Sequence, residues 1–219
     1  NSDPAPLVRP MLLVGPPGIG KSHWSRLLGA QLSVPTTIIE ATGEPAAFAV
    51  TGSQKGWGSA GPGRVLEAIM ASQIANPVVV VDEIEKAGPA VSTKGQSYDL
   101  SQGLLPLLER LTAQSWSCPY YRVPFDMSWI TWILTANSVN GLSAPFLSRC
   151  PPMQLSSLSM NHLISFADRE GVRRQLPHDA IDAVKEVIEA IQAPHLVSLR
   201  SVIRMLDSVE QNINRPLLH

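Results

Sequence analysis

The sequence predicts an α/β fold in which a parallel sheet lies between two layers of helices, followed by a small all-helical domain. Apolar runs of strand length alternate with segments of helical spacing through residues 1–156. The run "PVVVVDE" (77–83) is apolar and β-branched up to its two carboxylates, which is typical of a central parallel strand covered on both faces. Amphipathic helical patterns then follow one another over 157–219 with no strand between them, which predicts the second, helical domain.

The individual elements follow from the same periodicities. Besides residues 77–83, four segments have the apolar character of strands: "MLLV" (11–14), "TTIIEA" (36–41), "WITWILTAN" (129–137) and, more weakly, "MQLSS" (153–157). Helical spacing covers about 21–32, 63–75 and 98–114, where Pro106 is expected to kink or end the helix. Three further helices are predicted in the second domain: "MNHLISFADREG", "PHDAIDAVKEVIEAIQ" and "SLRSVIRMLDSVEQNI".

Composition limits the classes of function. The 219 residues are 44% hydrophobic and 16% charged, as in a soluble globular protein with a substantial core. The net charge of -1 makes nucleic acid an unfavoured partner, and no apolar run is long enough to cross a membrane. Cys118 and Cys150 lack C-x-x-C spacing, which argues against a zinc site or disulfide framework and favours a cytoplasmic location. Because the sequence does not begin with Met, we expect it to be a piece of a longer chain.

The segment "GPPGIGKS" (15–22) matches the phosphate-binding pattern G-x-x-x-x-G-K-[ST] and lies between a predicted strand and a predicted helix. Backbone N–H groups of such a loop cradle phosphate oxygens, and the helix N-terminus adds positive charge. Lys21 would reach the outer phosphates, and the Ser22 hydroxyl would coordinate Mg²⁺. The predicted nucleotide-binding residues are Gly15, Pro16, Pro17, Gly18, Ile19, Gly20, Lys21 and Ser22.

Two carboxylates end the strand 77–83. Asp82 is placed to hold the water shell of the magnesium ion, and Glu83 to polarise a water for in-line attack on the γ-phosphate. A solvated strand end is the alternative, which the preceding phosphate loop disfavours. The two motifs together predict a nucleoside triphosphatase that uses Mg²⁺.

Longer stretches give the chain a family resemblance. "LLVGPPGIGKS", "GPGRVLEAI", "NPVVVVDEIEK", "VPFDMSWITWILTAN" and "SAPFLSRC" occur in the order found in AAA+ ATPases, and the chain resembles in particular the ATPase module of Lon proteases. The resemblance covers nearly all of residues 10–206. It implies the P-loop NTPase fold with a helical lid, assembly into a homo-oligomeric ring that is expected to be a hexamer, and protein substrates that are unfolded or translocated.

The resemblance also implies roles for polar residues outside the two motifs. Asn137, which ends "WILTAN", matches the sensor-1 position that orients the attacking water. Arg149 matches the arginine finger that reaches the nucleotide of a neighbouring subunit, a task suited to a permanently charged planar fork. Arg200 matches sensor 2, four residues before Arg204 on the same helix face. A solvated surface charge is the alternative for each arginine, and it is the favoured interpretation of Arg204.

The glycine-rich segment "GSQKGWGSAGPG" (52–63) contains a single tryptophan, Trp57. From the residues alone, the simple interpretation is a loop whose tryptophan packs back onto the core. The resemblance implies instead a pore loop in which Trp57 grips a threaded polypeptide. Gly58 departs from the family pattern, because the residue after the aromatic is usually bulky and apolar.

The function predicted by the sequence is therefore that of an ATP-hydrolysing motor module. S-x-x-K does not occur and no Ser-His-Asp grouping stands out, so we expect no peptidase activity from this chain, and a peptidase domain or partner would lie outside it. The alternatives are a remodelling ATPase without proteolysis, and a nucleotide-gated scaffold with negligible turnover. A DNA-directed AAA+ protein is disfavoured by the near-neutral charge.

Overall fold

The computed structural model describes residues 8–42, 46–55, 60–87, 90–91, 97–191 and 197–213. Contacts divide the chain into two compact units. The sheet unit lies within Asn1–Val14 and Lys21–Leu155, and the helical unit within Gly15–Gly20 and Ser156–His219. The domain limits 1–156 and 157–219 stay a prediction, and this division differs from them mainly by grouping Gly15–Gly20 with the helices.

In the sheet unit, one or two helices separate each strand of the main sheet from the next one along the chain. The elements are β1 (Met11–Val14), α1 (Lys21–Gln31), β2 (Thr36–Glu40), α2 (Ala46–Thr51), α3 (Arg64–Ser72), β3 (Val78–Asp82), a 3₁₀ turn (Ile84–Lys86), β4 (Ala90–Val91), β5 (Ser97–Tyr98), α4 (Leu100–Leu108), α5 (Arg110–Ala113), β6 (Trp116–Ser117), β7 (Pro124–Phe125), β8 (Thr131–Ala136), α6 (Ala144–Arg149) and β9 (Pro152–Gln154). Two short antiparallel pairs, β4 with β5 and β6 with β7, stand apart from the main sheet.

The main sheet has the strand order β2-β3-β8-β1-β9, and all of its pairings are parallel. Successive residues of β3 point to opposite faces, so Val78 and Val80 join a cluster with Leu28 of α1, while Val79 and Val81 join the larger core formed with α2, α3, α4 and α6. Every residue of β8 is buried. The parallel sheet covered on both faces confirms the predicted P-loop α/β fold.

Several local features differ from the sequence prediction. The short helices α2 and α6 were not predicted, nor were the two antiparallel pairs. The helical segment 98–114 does not break at Pro106, which lies inside α4, but at Glu109, where extended backbone (φ -108°, ψ 123°) separates α4 from α5. The Thr112 hydroxyl donates to the Pro106 carbonyl (2.6 Å), so this break is stabilised by a side chain beyond it.

The helical unit contains α7 (Met160–Arg173), α8 (His178–Glu189) and α9 (Leu199–Ile213). A capping box formed by Ser159 and His162 starts α7. The core of the unit consists of Leu163, Ala167, Val184, Ile188, Val202 and Leu206. Ion pairs complete the packing: Arg173 and Arg174 both bind Glu170, and Arg174 also binds Asp207 of α9 (2.6 Å). Hydrogen bonds from these two arginines lower the pKa of Glu170 to about 2.

Candidate functional site

The central strands β3, β8 and β1 end at the same edge of the sheet because they are adjacent and parallel. The chain leaves β1 into Gly15–Gly20, leaves β3 after Asp82 and leaves β8 into Asn137. This edge is where ligands bind in open α/β folds. The topology therefore explains how the separate sequence motifs come to share one site.

Asp82 is the centre of a hydroxyl cluster. Ser22 Oγ donates to both carboxylate oxygens of Asp82, at 2.8 and 2.9 Å. Thr135, fully buried on β8, also donates its hydroxyl to Asp82, because β3 and β8 pair with Val81 opposite Leu134 and so bring the next two residues together. A serine hydroxyl and a carboxylate are the oxygen donors that suit Mg²⁺, which keeps most of its water ligands. The residues present therefore fit a magnesium ion.

Lys21 begins α1 and is buried, with 8% of its surface exposed. Its Nζ donates to Asn137 Oδ1 at 3.0 Å. Burial lowers the pKa of the Lys21 ammonium, against the attraction of Glu85, Asp82 and Glu83, which acts to raise it. A buried ammonium beside the strand ends is a point charge that a phosphate group would stabilise.

Glu83 adopts a left-handed backbone conformation (φ 56°, ψ 48°) at the start of the 3₁₀ turn. Such a conformation costs a residue with a Cβ about 1–3 kcal/mol and is concentrated at functional sites. The Thr135 hydroxyl accepts from the Glu83 backbone N–H at 3.1 Å and so holds the strained residue in place. The Glu83 carboxylate forms an ion pair with Lys86 (2.7 Å) and is 36% exposed.

Gly18 and Gly20 require glycine for a conformational reason, since both have positive φ (76° and 99°). Within the helical unit, the backbone N–H of Leu199 donates to the Gly18 carbonyl at 3.0 Å. A Cβ on Gly18 would come within 2.5 Å of the Ser198 Cβ. The phosphate loop therefore contacts the first turn of α9, where Arg200 is exposed next to Leu199.

Arg149, at the end of α6, is not at the edge of the sheet that carries Lys21. Its Nε and a terminal nitrogen bind Glu109 Oε2 at 3.0 and 2.9 Å, and its other terminal nitrogen donates to the Pro145 carbonyl. Arg149 and Glu109 line a groove of about 820 Å³, together with Met11 and Ile130 at the amino ends of β1 and β8. The strands β3 and β8 have 5 and 6 residues, so the amino and carboxyl edges of the sheet lie roughly 15–20 Å apart.

Arg204 and Trp57 are the remaining residues named in the sequence analysis. Arg204 is exposed on α9, opposite the buried Val202 and Leu206. Trp57 lies outside the described residues. Lys55, two positions earlier, is described, and its Nζ lies 5.0 Å from the centre of the Tyr120 ring.

The sequence analysis missed four residues whose side chains bind the side chains of predicted catalytic or metal-site residues. Thr135 binds Asp82 and Glu83, Glu85 binds Asn137, Lys86 binds Glu83, and Glu109 binds Arg149. The only available signal was their position, since Glu85 and Lys86 follow Glu83 closely and Thr135 precedes the strand end by one residue. In the described part of the chain, no three or more His, Cys, Asp or Glu side chains are grouped to hold a metal ion. None of the described helices has the length and apolar character needed to cross a membrane.

The sheet, its phosphate loop after β1 and the aspartate that ends β3 define the P-loop class of nucleoside triphosphatases. The model of the AAA family, "ATPase family associated with various cellular activities", matches residues 11–158. The chain is a member of this AAA family of ATPases.

Within the family, the chain is similar to Lon proteases. It is 28% identical over 188 residues to Lon protease of Clostridium beijerinckii, covering 86% of this chain and 23% of that protein. It is 28% identical over 209 residues to Lon protease of Phenylobacterium zucineum (95% and 26%), and 30% identical over 159 residues to the mitochondrial Lon protease homolog of Aspergillus niger (73% and 14%). The chain thus spans about a quarter or less of these relatives and is a Lon-like AAA+ ATPase module.

Proposed function

We propose that this chain binds ATP with Mg²⁺ and hydrolyses it as a motor module that works in a ring of identical subunits and acts on proteins. The observation that carries the proposal is the cluster of Lys21, Ser22, Asp82 and Asn137 at the carboxyl ends of β3 and β8. A lysine ammonium and a hydroxyl–carboxylate pair are the groups with which P-loop enzymes hold nucleotide phosphates and Mg²⁺, and an amide can orient the attacking water.

Each residue has a defined task in this proposal. Lys21 and the backbone N–H groups of Gly15–Gly20 hold the phosphate oxygens, and Ser22 and Asp82 would hold the magnesium ion. When bound, Mg²⁺ supplies positive charge that neutralises the phosphate oxygens. Glu83 accepts the proton of the attacking water, for which its carboxylate must leave Lys86. From the similarity to Lon proteases, we also propose that Arg200 acts on the nucleotide.

The location of Arg149 supports a shared site between subunits. Arg149 lies near the amino ends of the strands, roughly 15–20 Å from the carboxyl-end cluster of its own chain. An arginine at that distance can serve as an arginine finger only for the nucleotide of another subunit. We therefore propose a homo-oligomeric ring, with a hexamer as the expected form, in which the pair with Glu109 holds Arg149 before assembly.

The substrate class rests on the similarity to Lon proteases. We propose that Trp57 contacts a polypeptide in the centre of the ring, and that ATP hydrolysis unfolds or moves this polypeptide. Peptide-bond cleavage is not proposed for this chain, and a peptidase domain or partner would lie outside it. We further propose a cytoplasmic location. A remodelling ATPase would use the same site. An ATPase assay separates the two, since an unfolded protein should stimulate the unfolding motor and a folded assembly should stimulate the remodelling ATPase.

An ATPase assay with a paired binding assay tests the site. Glu83→Gln keeps the shape of the side chain but removes the base, so turnover should fall on the order of 10²–10⁴-fold while ATP affinity stays within a few-fold of wild type. Glu67→Gln, which removes an exposed carboxylate on α3, is the matched control and should retain activity. Equal loss of binding and turnover in Glu83→Gln would contradict the assigned role. Tight ATP binding by the wild type with negligible turnover would instead identify the nucleotide-gated scaffold.

A further inference from the structure

Glu85 lies on the 3₁₀ turn two residues after Glu83, and its carboxylate points toward β8. Glu85 Oε1 accepts from the backbone N–H of Asn137 and from its side-chain Nδ2, both at 2.9 Å. Glu85 Oε2 is buried and has no hydrogen-bond partner among the described residues. A buried carboxylate with one unpartnered oxygen is costly, so its presence calls for an explanation.

The two neighbours of Asn137 fix the orientation of its amide group. A carboxylate only accepts hydrogen bonds and an ammonium only donates them. Asn137 therefore turns Nδ2 toward Glu85 and Oδ1 toward Lys21 Nζ, 3.0 Å away. The reverse orientation would place an N–H against the Lys21 ammonium and a carbonyl oxygen against the carboxylate. Of the three carboxylates that attract Lys21, Glu85 contributes the most.

We infer that Glu85 is a positioning residue for ATP hydrolysis: it orients the amide of Asn137 so that the amide oxygen holds the Lys21 ammonium and faces the reacting phosphate. This inference rests on the proposed function. Glu85 does not touch the nucleotide in this scheme, because its hydrogen bonds go to Asn137. The Glu85 carboxylate can only accept hydrogen bonds, so it reinforces the amide orientation that Lys21 also requires, whereas a glutamine at this position could present either an acceptor or a donor to Asn137.

A purely structural role makes a different prediction. Glutamine at position 85 could still accept both N–H groups of Asn137 and would place an amide where the unpartnered oxygen now lies. The Glu85→Gln protein should therefore be at least as stable as wild type, and if Glu85 only supports the fold, its kcat should not change.

A charge-exchange experiment separates the two roles. Asn137→Asp sets two carboxylates against each other and should lower kcat on the order of 10–100-fold. The double variant Asn137→Asp with Glu85→Gln restores a donor–acceptor pair in the reverse sense, with glutamine as donor. Its kcat should be about tenfold higher than that of Asn137→Asp alone. Its KM for ATP should change less than its kcat. Glu67→Gln is the control for charge removal, and melting temperatures establish that each variant is folded.

A second readout is independent of ATP hydrolysis. In the protein without nucleotide, the side-chain Nδ2 resonance of Asn137 in an amide NMR spectrum should be shifted and slow to exchange, and Glu85→Ala should remove both properties. If the folded double variant is no more active than Asn137→Asp alone, or Glu85→Ala retains wild-type kcat, the inference is wrong. Wild-type protein without Glu83-dependent ATP hydrolysis would refute the proposed function instead, and the NMR result would then decide the orientation of Asn137 by itself.

Discussion

Replacing Thr135 with valine should destabilise the sheet unit more than its size change suggests, because one buried hydroxyl holds two parts of the site. Thr135 is fully buried, donates to Asp82 and accepts from the backbone N–H of Glu83. A hydrogen bond to a charged group contributes about 1.5–3 kcal/mol, and an N–H left without a partner costs about 1–3 kcal/mol when buried. Glu83 is partly exposed, so its backbone N–H can be partly solvated and the second cost is small. The expected loss of unfolding free energy is therefore about 2–4 kcal/mol.

The measurement is urea denaturation together with a thermal melt. A loss of 2–4 kcal/mol corresponds to a fall in Tm of roughly 5–15 °C for a chain of this size. Thr135→Ser keeps the hydroxyl and loses only a methyl group, so it should retain both hydrogen bonds and most of the stability. The reasoning fails if valine is as stable as wild type, or if serine and valine destabilise equally, because the hydroxyl would then carry no special weight.

Three further predictions concern the helical unit and the residues outside the central cluster. Mixing Arg149→Ala with Glu83→Gln subunits should restore part of the ATPase activity, and co-assembly without rescue would make Arg149 structural. Hydrogen bonds, first from Arg173, hold the pKa of Glu170 at about 2, below its ordinary 4.5. The stability that this ionised carboxylate contributes is thus complete above pH 4.5 and is lost as pH falls toward 2. Glu170→Gln should therefore lower the unfolding free energy by about 1–3 kcal/mol above pH 4.5 and make it fall less steeply between pH 4.5 and 2. Trp57→Ala should leave Tm and basal ATPase unchanged and abolish stimulation by an unfolded protein. A large fall in Tm would instead mean that the indole side chain is packed in the core.

The sequence predicted those parts of the fold that depend on contiguous residues. The phosphate loop and the carboxylate-ended strand are each written in a short run, and the apolar strands differ clearly in period from the helices. By contrast, that Asp82 and Asn137 end neighbouring strands was not predicted, because the order of strands in a sheet cannot be read from their periodicity. Likewise, α2 and α6 have 6 residues each, too few to show helical periodicity, so neither helix could be predicted.

The partners of the site residues could not be predicted because they depend on register and on distant segments. Thr135 faces Asp82 because Val81 of β3 pairs with Leu134 of β8. A shift of this register by one residue would place Ala136 or Leu134 beside Asp82 instead. The pair of Arg149 with Glu109 joins residues 40 positions apart. It also depends on the helix break falling at Glu109 rather than at Pro106.

The two carboxylates of the motif differ in how firmly their side chains are held. Asp82 ends a strand whose first four residues are buried, beside the fully buried β8, and its carboxylate is bound by the hydroxyls of Ser22 and Thr135. The Glu83 backbone is held by Thr135, but its side chain is 36% exposed and forms an ion pair with the exposed side chain of Lys86. Exposed side chains change rotamer far faster than backbone segments move. In the proposed mechanism, the Glu83 carboxylate could therefore swing toward the water by side-chain rotation alone, while the backbone and the Asp82 carboxylate stay in place.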